Sequence, residues 1–453
     1  MDGDMAVASF FDRLRAHGTK PAIVEGDRTY GYGDMLAEVD RWDEQAAAWS
    51  IAAGDMIAVQ SDFSLPAIAA TLALFRRGCI VALLSPTARN PDMLVADIGA
   101  SAILRPSDDP LYTPVRPQRQ PALLDRFRTA RRSGFVIFTS GSSGVPKAVL
   151  HDAGRFLDTY RGSAKPLVTL AFLLFDHIAG LDTLFYTLSA GGCLVLPAER
   201  TPRSICALIE QSQVEVLPTS PSFLKLLCLS GAADEFDLRS LRIVSFGSEP
   251  MPPATLMRLK ELLPGVSLRQ KYGASEFGAP RVKTRDGDAL WIRIGDDRTS
   301  IRIENGLLWI RSPTTMVGYL NADAPVGNDG WFCTGDRVET DGEWIRILGR
   351  DSDLINVGGE KVSPSEVEAV IAELDCVAQV AVRGDSHPLL GQVVCAAVLP
   401  RDAEADAAIL RRTILAHCLQ RLQRHAVPTR IALSATPLVS ERQKLLRRAA
   451  LST

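Results

Sequence analysis

Thr139 to Ala148 reads Thr-Ser-Gly-Ser-Ser-Gly-Val-Pro-Lys-Ala, between the apolar run Gly134 to Phe138 and the apolar pair Val149-Leu150. Glycines let a backbone approach an anion closely, and hydroxyls with exposed N–H groups donate to its oxygens, so this composition suits a turn that grips phosphate. The commonest phosphate loop needs Gly, four residues, then Gly-Lys-Ser/Thr. Counted from Gly141, this chain has Pro146 in place of the second glycine and Ala148 in place of the magnesium-binding hydroxyl. The segment is therefore a phosphate loop of another kind, or a Ser/Gly surface loop without a ligand.

The elements that must carry this loop alternate. From Pro21 to about Leu348, short β-rich runs such as Met56 to Val59 and Leu241 to Phe246 alternate with helical stretches such as Ala67 to Arg76. That alternation predicts an α/β fold with mainly parallel sheets flanked by helices. Pro252-Pro253 opens a helix over Ala254 to Leu263, closed by Pro264-Gly265. From Asp286 to Leu348 the helices thin out, and Ser300 to Ile303, Leu307 to Ile310 and Trp344 to Ile347 predict a small β-rich subdomain. Ser363 and Glu366 stand three apart before an apolar-periodic run, which predicts a capping box and a helix to about Leu374. Beyond it come strands over Ala378 to Val382 and Val393 to Val398 and a helix over Ala407 to Leu422. The expected division is a large N-terminal domain over 1–348 and a small mobile α+β domain over 349–453.

Composition narrows the partners. The 453 residues are 46% hydrophobic, enough for a large core and, at roughly 150 residues per domain, two or three compact units. A formal charge of -3 without long Lys/Arg runs gives no electrostatic reason to expect nucleic acid or an anionic membrane. A small molecule is the better default partner. Met1-Asp2-Gly3-Asp4 lacks the basic start of an export signal. The most apolar stretch, Leu167 to Phe175, stops at Asp176-His177, well short of the roughly 20 residues of a membrane span. No transmembrane segment and a cytoplasmic protein are expected. Eight cysteines and six histidines are scattered without metal-ligand spacing, so buried thiols in a reducing compartment are expected rather than zinc or redox chemistry.

Five ordered segments together resemble the ANL superfamily of acyl-CoA synthetases, nonribosomal-peptide adenylation domains and firefly luciferase. They are Thr139 to Ala148, Lys271-Tyr272-Gly273-Ala274-Ser275-Glu276, Met316-Val317-Gly318-Tyr319, Trp331 to Asp336, and Gly349 to Glu368. The resemblance spans nearly the whole chain. It implies an ATP-dependent enzyme that turns a carboxylic acid into an acyl-adenylate, releases pyrophosphate, and passes the acyl group to a thiol. That thiol belongs to coenzyme A or to the phosphopantetheine of a carrier protein.

Carried over residue by residue, Thr139, Ser140, Gly141, Ser142, Ser143, Gly144 and Lys147 would hold the β- and γ-phosphates. Tyr272 resembles the residue that stacks on adenine, with Gly247, Ser248 and Glu249 as the opposite wall and Gly273 beside it. Ser275 would touch the α-phosphate and Glu276 would hold Mg2+ as a hard oxygen ligand. Asp336 resembles the acid that accepts the ribose hydroxyls, with Arg350 as its basic neighbour. Lys444 resembles the C-terminal lysine that bridges the carboxylate and the α-phosphate, although Gln443 replaces the usual glycine. Ser352 occupies the hinge position, where the family usually has Asp or Lys, and a small polar residue there still absorbs a backbone rotation. Asn356, Gly358, Gly359 and Lys361 match the loop that lines the pantetheine channel once the C-terminal domain has turned.

The acid itself is less defined. Phe175-Asp176-His177-Ile178-Ala179-Gly180 resembles the pocket floor, and both Asp176 and His177 match a family pattern. His177 facing in favours an aryl or acyl acid, and Asp176 facing in allows a pair with a substrate amine. Ser220, within Thr219 to Ser222, and Phe246 are further wall candidates. The reading is an acid–thiol ligase with His177, Ser275, Glu276 and Lys444 as its reacting-centre residues, expected to be free-standing. Alternatives are a stand-alone amino-acid adenylation enzyme that loads a carrier protein, and a nucleotide-binding pseudoenzyme.

Overall fold

The computed structural model describes residues 3–139, 146–162, 165–323, 329–402 and 404–438. Ser140, Gly141, Ser142, Ser143, Gly144 and Lys444, all assigned roles above, lie outside the described residues, as does Gln443.

The fold is α/β, with four sheets among the described residues. The first has seven strands in the order Ser267–Gln270, Ile243–Phe246, Val216–Thr219, Val168–Leu170, Cys193–Leu196, Pro21–Glu25 and Arg28–Gly31; all are parallel except the last pair. The second runs Gly318–Tyr319, Lys147–Asp152, Gly134–Thr139, Ile80–Leu84, Met56–Gln60, Ala102–Arg105 and Leu111–Pro114, parallel at its centre and antiparallel at both edges. Central strands such as Ile80–Leu84, buried along their whole length, must be apolar on both faces because helices cover both sides. Helices Tyr32–Ala48, Leu65–Arg76 and Ile178–Ser189 share one apolar core with strands of both sheets.

The expected β-rich subdomain is a six-stranded antiparallel sheet, ordered Val282–Arg285, Asp288–Ile294, Trp344–Arg350, Phe332–Asp341, Leu307–Arg311 and Ser300–Glu304. After it, Glu360–Val362, Ile355–Val357, Gly391–Pro400, Val377–His387 and Arg430–Leu433 form the fourth sheet. Its strands and the helices Pro364–Ile371 and Ala407–Arg421 close over an apolar cluster of their own, from Ile355 to Val427.

Local chemistry departs from expectation at one cap. Ser363 is the N-cap residue of Pro364–Ile371, but its hydroxyl makes no cap bond; it lies 3.5 Å from the Ser365 hydroxyl instead. Pro364 at the first helical position supplies the preset φ that starts the helix. All eight cysteines are free thiols and six are buried. No helix among the described residues is long and apolar enough to cross a membrane.

Candidate active site

In the first sheet the parallel strands end together at Thr219, Phe246 and Gln270, and the chain continues into Ser220, Gly247-Ser248-Glu249 and Lys271-Tyr272. Ligands of open α/β sheets sit in this crevice, outside the carboxyl ends of strands. Two cavities open there. One, of about 300 Å³, is lined by Ser248, Glu249, Tyr272, Gly273, Asp336 and Arg350 among others. The second, of about 170 Å³, is lined by His177, Phe246, Gly247, Gly273, Thr219 and Asp182 among others. Ser248, Lys271, Tyr272 and Gly273 line both, so one short wall separates them.

Backbone approach explains the two wall glycines. A Cβ on Gly247 would sit 2.8 Å from the Lys271 carbonyl oxygen, and one on Gly273 would sit 2.6 Å from that of Gly278. Neither position has room for a side chain.

The first cavity is organised by a buried tyrosine–aspartate pair. Tyr272 donates its hydroxyl to Asp336 Oδ2 at 2.6 Å. Arg350, the register partner of Asp336 across the antiparallel pair, brings Nε to 3.5 Å from Oδ1. Thr334 fixes the turn by accepting the Asp336 N–H at 3.0 Å and donating to the Leu308 carbonyl. Burial pushes the Asp336 carboxyl above its ordinary range, opposed by the Tyr272 hydroxyl and Arg350, while burial and Asp336 raise the Tyr272 phenol. The Tyr272 ring packs 5.5 Å from Phe277.

A second group surrounds the end of the Ser/Gly loop. Thr139 and Lys147 are paired across the antiparallel strands that the loop connects. The Lys147 ammonium lies 5.0 Å from the centre of the Tyr319 ring, and Tyr319 donates to Glu276 Oε1 at 2.9 Å. Asn321 accepts the Ala148 N–H at 2.9 Å and donates to the Pro146 carbonyl at 3.0 Å, clamping the chain where it leaves the loop. Glu276 stands beside that exit as a partly exposed carboxylate. No group of three metal-ligating side chains occurs among the described residues. The one carboxylate at this exit, Glu276, is a hard oxygen donor of the kind Mg2+ takes singly or in pairs beside phosphate oxygens and water.

His151 has no role in the sequence reading. It lies four residues beyond Lys147, is 1% exposed, and stacks on Phe135 with ring centres 4.8 Å apart. Its Nε2 donates to the Ser275 carbonyl at 2.6 Å, tying strand Lys147–Asp152 to the Tyr272–Glu276 segment. Burial pulls its pKa down to about 4 against the opposing pull of the Ser275 and Thr314 carbonyls. Ser275 itself lines neither cavity.

Four of the expected pocket residues, Phe175, Asp176, Gly180 and Ser220, stand outside the cavity lining. Phe175 is fully buried, with its ring 4.9 Å from that of Phe63, and belongs to the core. Asp176 is buried and does not line the cavity. A Cβ on Gly180 would meet the Leu174 carbonyl oxygen at 2.1 Å, so this glycine lets the helix start pack on its own entry loop. Ser220 caps helix Pro221–Ser230, accepting the Phe223 N–H at 3.2 Å. His177 does line the cavity, and as helix N-cap its Nδ1 accepts the Ala179 N–H at 3.3 Å. Asp182 and Asn321 carried no motif of their own and only proximity in the fold reveals them, whereas Tyr319 stands in the Met316 to Tyr319 segment and Thr219 in the wall stretch Thr219 to Ser222.

The C-terminal hairpin stands apart from both cavities. Asn356, Gly358, Gly359 and Lys361 are exposed and line neither. Gly358 and Gly359 turn the hairpin at φ +62° and +97°, and Asn356 Oδ1 accepts the Gly359 N–H at 3.1 Å. Ser352 is exposed within the short 3-10 turn Asp351–Asp353.

The chain belongs to the AMP-binding enzyme family, whose model matches residues 10–320; that of the AMP-binding enzyme C-terminal domain matches residues 366–440. An indoleacetate–CoA ligase of Aromatoleum aromaticum is 30% identical over 328 residues, 65% of this chain and 62% of that one. A p-hydroxybenzoic acid–AMP ligase of Mycobacterium tuberculosis is 26% identical over 450 residues, 91% of this chain and 63% of that one. The chain thus spans less than two thirds of either relative. Among solved structures, an anthranilate CoA ligase in complex with anthranoyl-AMP superposes with a TM-score of 0.81 at 19% identity, covering 98% of this chain and 95% of that one. That likeness establishes the fold.

Proposed function

We propose that this chain activates a carboxylic acid as its acyl-adenylate and transfers the acyl group to a thiol, as an AMP-forming acid–thiol ligase. The observation that carries the reading is the shared wall: Ser248, Lys271, Tyr272 and Gly273 border both cavities. ATP in the larger cavity and a carboxylic acid in the smaller then meet across that wall. Holding two reactants in contact replaces a bimolecular encounter by an effectively unimolecular step.

In the first half-reaction a carboxylate oxygen attacks the α-phosphorus of ATP. The bond to the bridging oxygen of the β-phosphate breaks, and pyrophosphate leaves with that electron pair. Tyr272 and Gly273 border the adenine, with Ser248 and Glu249 opposite, Gly247 lines the smaller cavity beside them, and Asp336 with Arg350 holds the ribose. Thr139, Ser140, Gly141, Ser142, Ser143, Gly144 and Lys147 hold the outer phosphates. Glu276 would hold Mg2+, which supplies neutralising charge at the phosphates when bound. Lys444 bridges the carboxylate and α-phosphate oxygens as a point charge on a flexible arm. His177 and Phe246 line the acid side.

In the second half-reaction a thiol, its proton lost to solvent, attacks the acyl carbon and AMP leaves. The thiol is that of coenzyme A or of a carrier protein's phosphopantetheine. The units 1–348 and 349–453 rotate about Ser352 between the two steps, bringing Asn356, Gly358, Gly359 and Lys361 to the thiol's path. The decisive experiment is acid-dependent ATP–pyrophosphate exchange in wild type and Lys444→Ala. Loss of exchange with ATP binding retained supports the assignment; exchange at the wild-type rate in the variant refutes the role of Lys444.

A further inference from the structure

The acid-side cavity has polar groups deep in its wall that the adenylation chemistry does not use. Asp182 lies five residues beyond His177 on helix Ile178–Ser189, roughly 7 Å further along the axis at 1.5 Å per residue. That is about the span of one six-membered ring and a substituent. Its Oδ1 accepts the Tyr160 hydroxyl at 2.9 Å. Burial raises its pKa, while Lys271 on the shared wall and the Tyr160 bond act the other way.

Two further wall residues are independent of that pair. Thr187 and Thr219 are each 2% exposed and line the same cavity, and the buried Oγ1 of each has no hydrogen-bond partner among the described residues. A buried hydroxyl without a partner costs stability, about 1–3 kcal/mol by general experience, so a ligand atom that satisfies it gains affinity.

We infer that the acid this chain activates carries a hydroxyl on the side remote from its carboxylate, received by Asp182 together with Thr187 or Thr219. A hydroxyl donates to a carboxylate and accepts from a threonine through a single oxygen. An ammonium is disfavoured, because Lys271 lines the same cavity and a second cation there would be repelled. A purely apolar acid would leave the threonine hydroxyls unpaired. The inference rests on the acid-activation reading and deepens it by naming the substrate class.

The test is pyrophosphate exchange with matched acids that differ only in the substituent: hydroxybenzoates, aminobenzoates, methylbenzoates and benzoate, with hydroxylated and unsubstituted cyclohexanecarboxylates beside them. At least one hydroxylated acid is expected to exceed its unsubstituted parent about tenfold or more in kcat/KM, since a site built to hydrogen-bond a hydroxyl rejects the analogue that lacks it. Asp182→Asn, and at least one of Thr187→Val and Thr219→Val, are expected to shrink that ratio severalfold, and the ratio reports discrimination even where overall activity falls. If Asp182→Asn fails to fold, the two threonine variants and the wild-type panel decide. A parent acid that equals every hydroxylated partner, or a ratio unmoved in folded Asp182→Asn or in both threonine variants, overturns the inference and leaves acid activation standing. Exchange with no acid of any class would instead overturn the reading beneath it.

Discussion

Replacing His151 by glutamine gives a prediction whose size follows from burial. The imidazole is 1% exposed, stacked on Phe135, and neutral because its pKa is held at about 4 rather than 6.5. The folded chain therefore declines a proton that the unfolded chain accepts, so the contribution is intact above pH 6.5 and is lost as pH falls toward 4. That difference, at 1.36 kcal/mol per pKa unit, amounts to about 3 kcal/mol at its fullest. His151→Gln can keep a donor to the Ser275 carbonyl and does not titrate. Its expected cost near neutral pH is about 1–2 kcal/mol for imperfect replacement of a buried bond, shrinking and reversing as the medium becomes acidic. Urea unfolding of both proteins at a series of pH values, followed by tryptophan fluorescence, provides the comparison. Parallel curves for wild type and variant through this window would refute the neutral, buried histidine and with it the tie between strand Lys147–Asp152 and the Tyr272–Glu276 segment.

Three other perturbations separate the roles of neighbouring residues. Gly180→Ala places a methyl 2.1 Å from the Leu174 carbonyl oxygen; it is expected to destabilise by about 1–3 kcal/mol, and an unchanged melting temperature would contradict the packing role. Asn321→Ala removes both bonds that clamp residues 146–148; the expected result is a KM for ATP raised about tenfold with the KM for the acid little changed, and an equal rise in both would count against it. Gly359→Leu puts a side chain at φ +97° on an exposed hairpin tip; thioester formation is expected to fall at least tenfold while pyrophosphate exchange persists, and equal loss of both steps would contradict a role confined to the second.

Much of the scaffold was legible because its signals are local. Alternating β-rich runs and helical stretches announced the parallel sheets, and the change to Asp/Gly turns after Asp286 announced the antiparallel sheet. Tyr272, Asp336 and Arg350 stand within motifs, and the fold brings them to one cavity. The acid side was less legible for a geometric reason. Along Phe175 to Gly180, adjacent side chains diverge as the chain turns into a helix, so residues one apart in sequence serve the core, the cavity wall and backbone packing. Asp182 and Thr187 follow on that helix at spacings no motif marks, and Thr219 enters from a strand 30 or more residues away. His151, Tyr319 and Asn321 act through contacts between distant segments: His151 reaches the Ser275 carbonyl, and the pairing of Gly318–Tyr319 with Lys147–Asp152 sets Tyr319 and Asn321 beside the loop exit.

The central claim, that the two cavities hold ATP and a carboxylic acid for reaction at the wall between them, is tested most directly by product mass spectrometry. The purified chain would be given ATP, Mg2+, coenzyme A and a mixed library of aryl, fatty and amino acids. The expected result is an acid-dependent acyl-AMP or acyl thioester, with AMP and pyrophosphate released in step. ATP bound but unconverted in the presence of every acid, with no AMP-linked product, would contradict it.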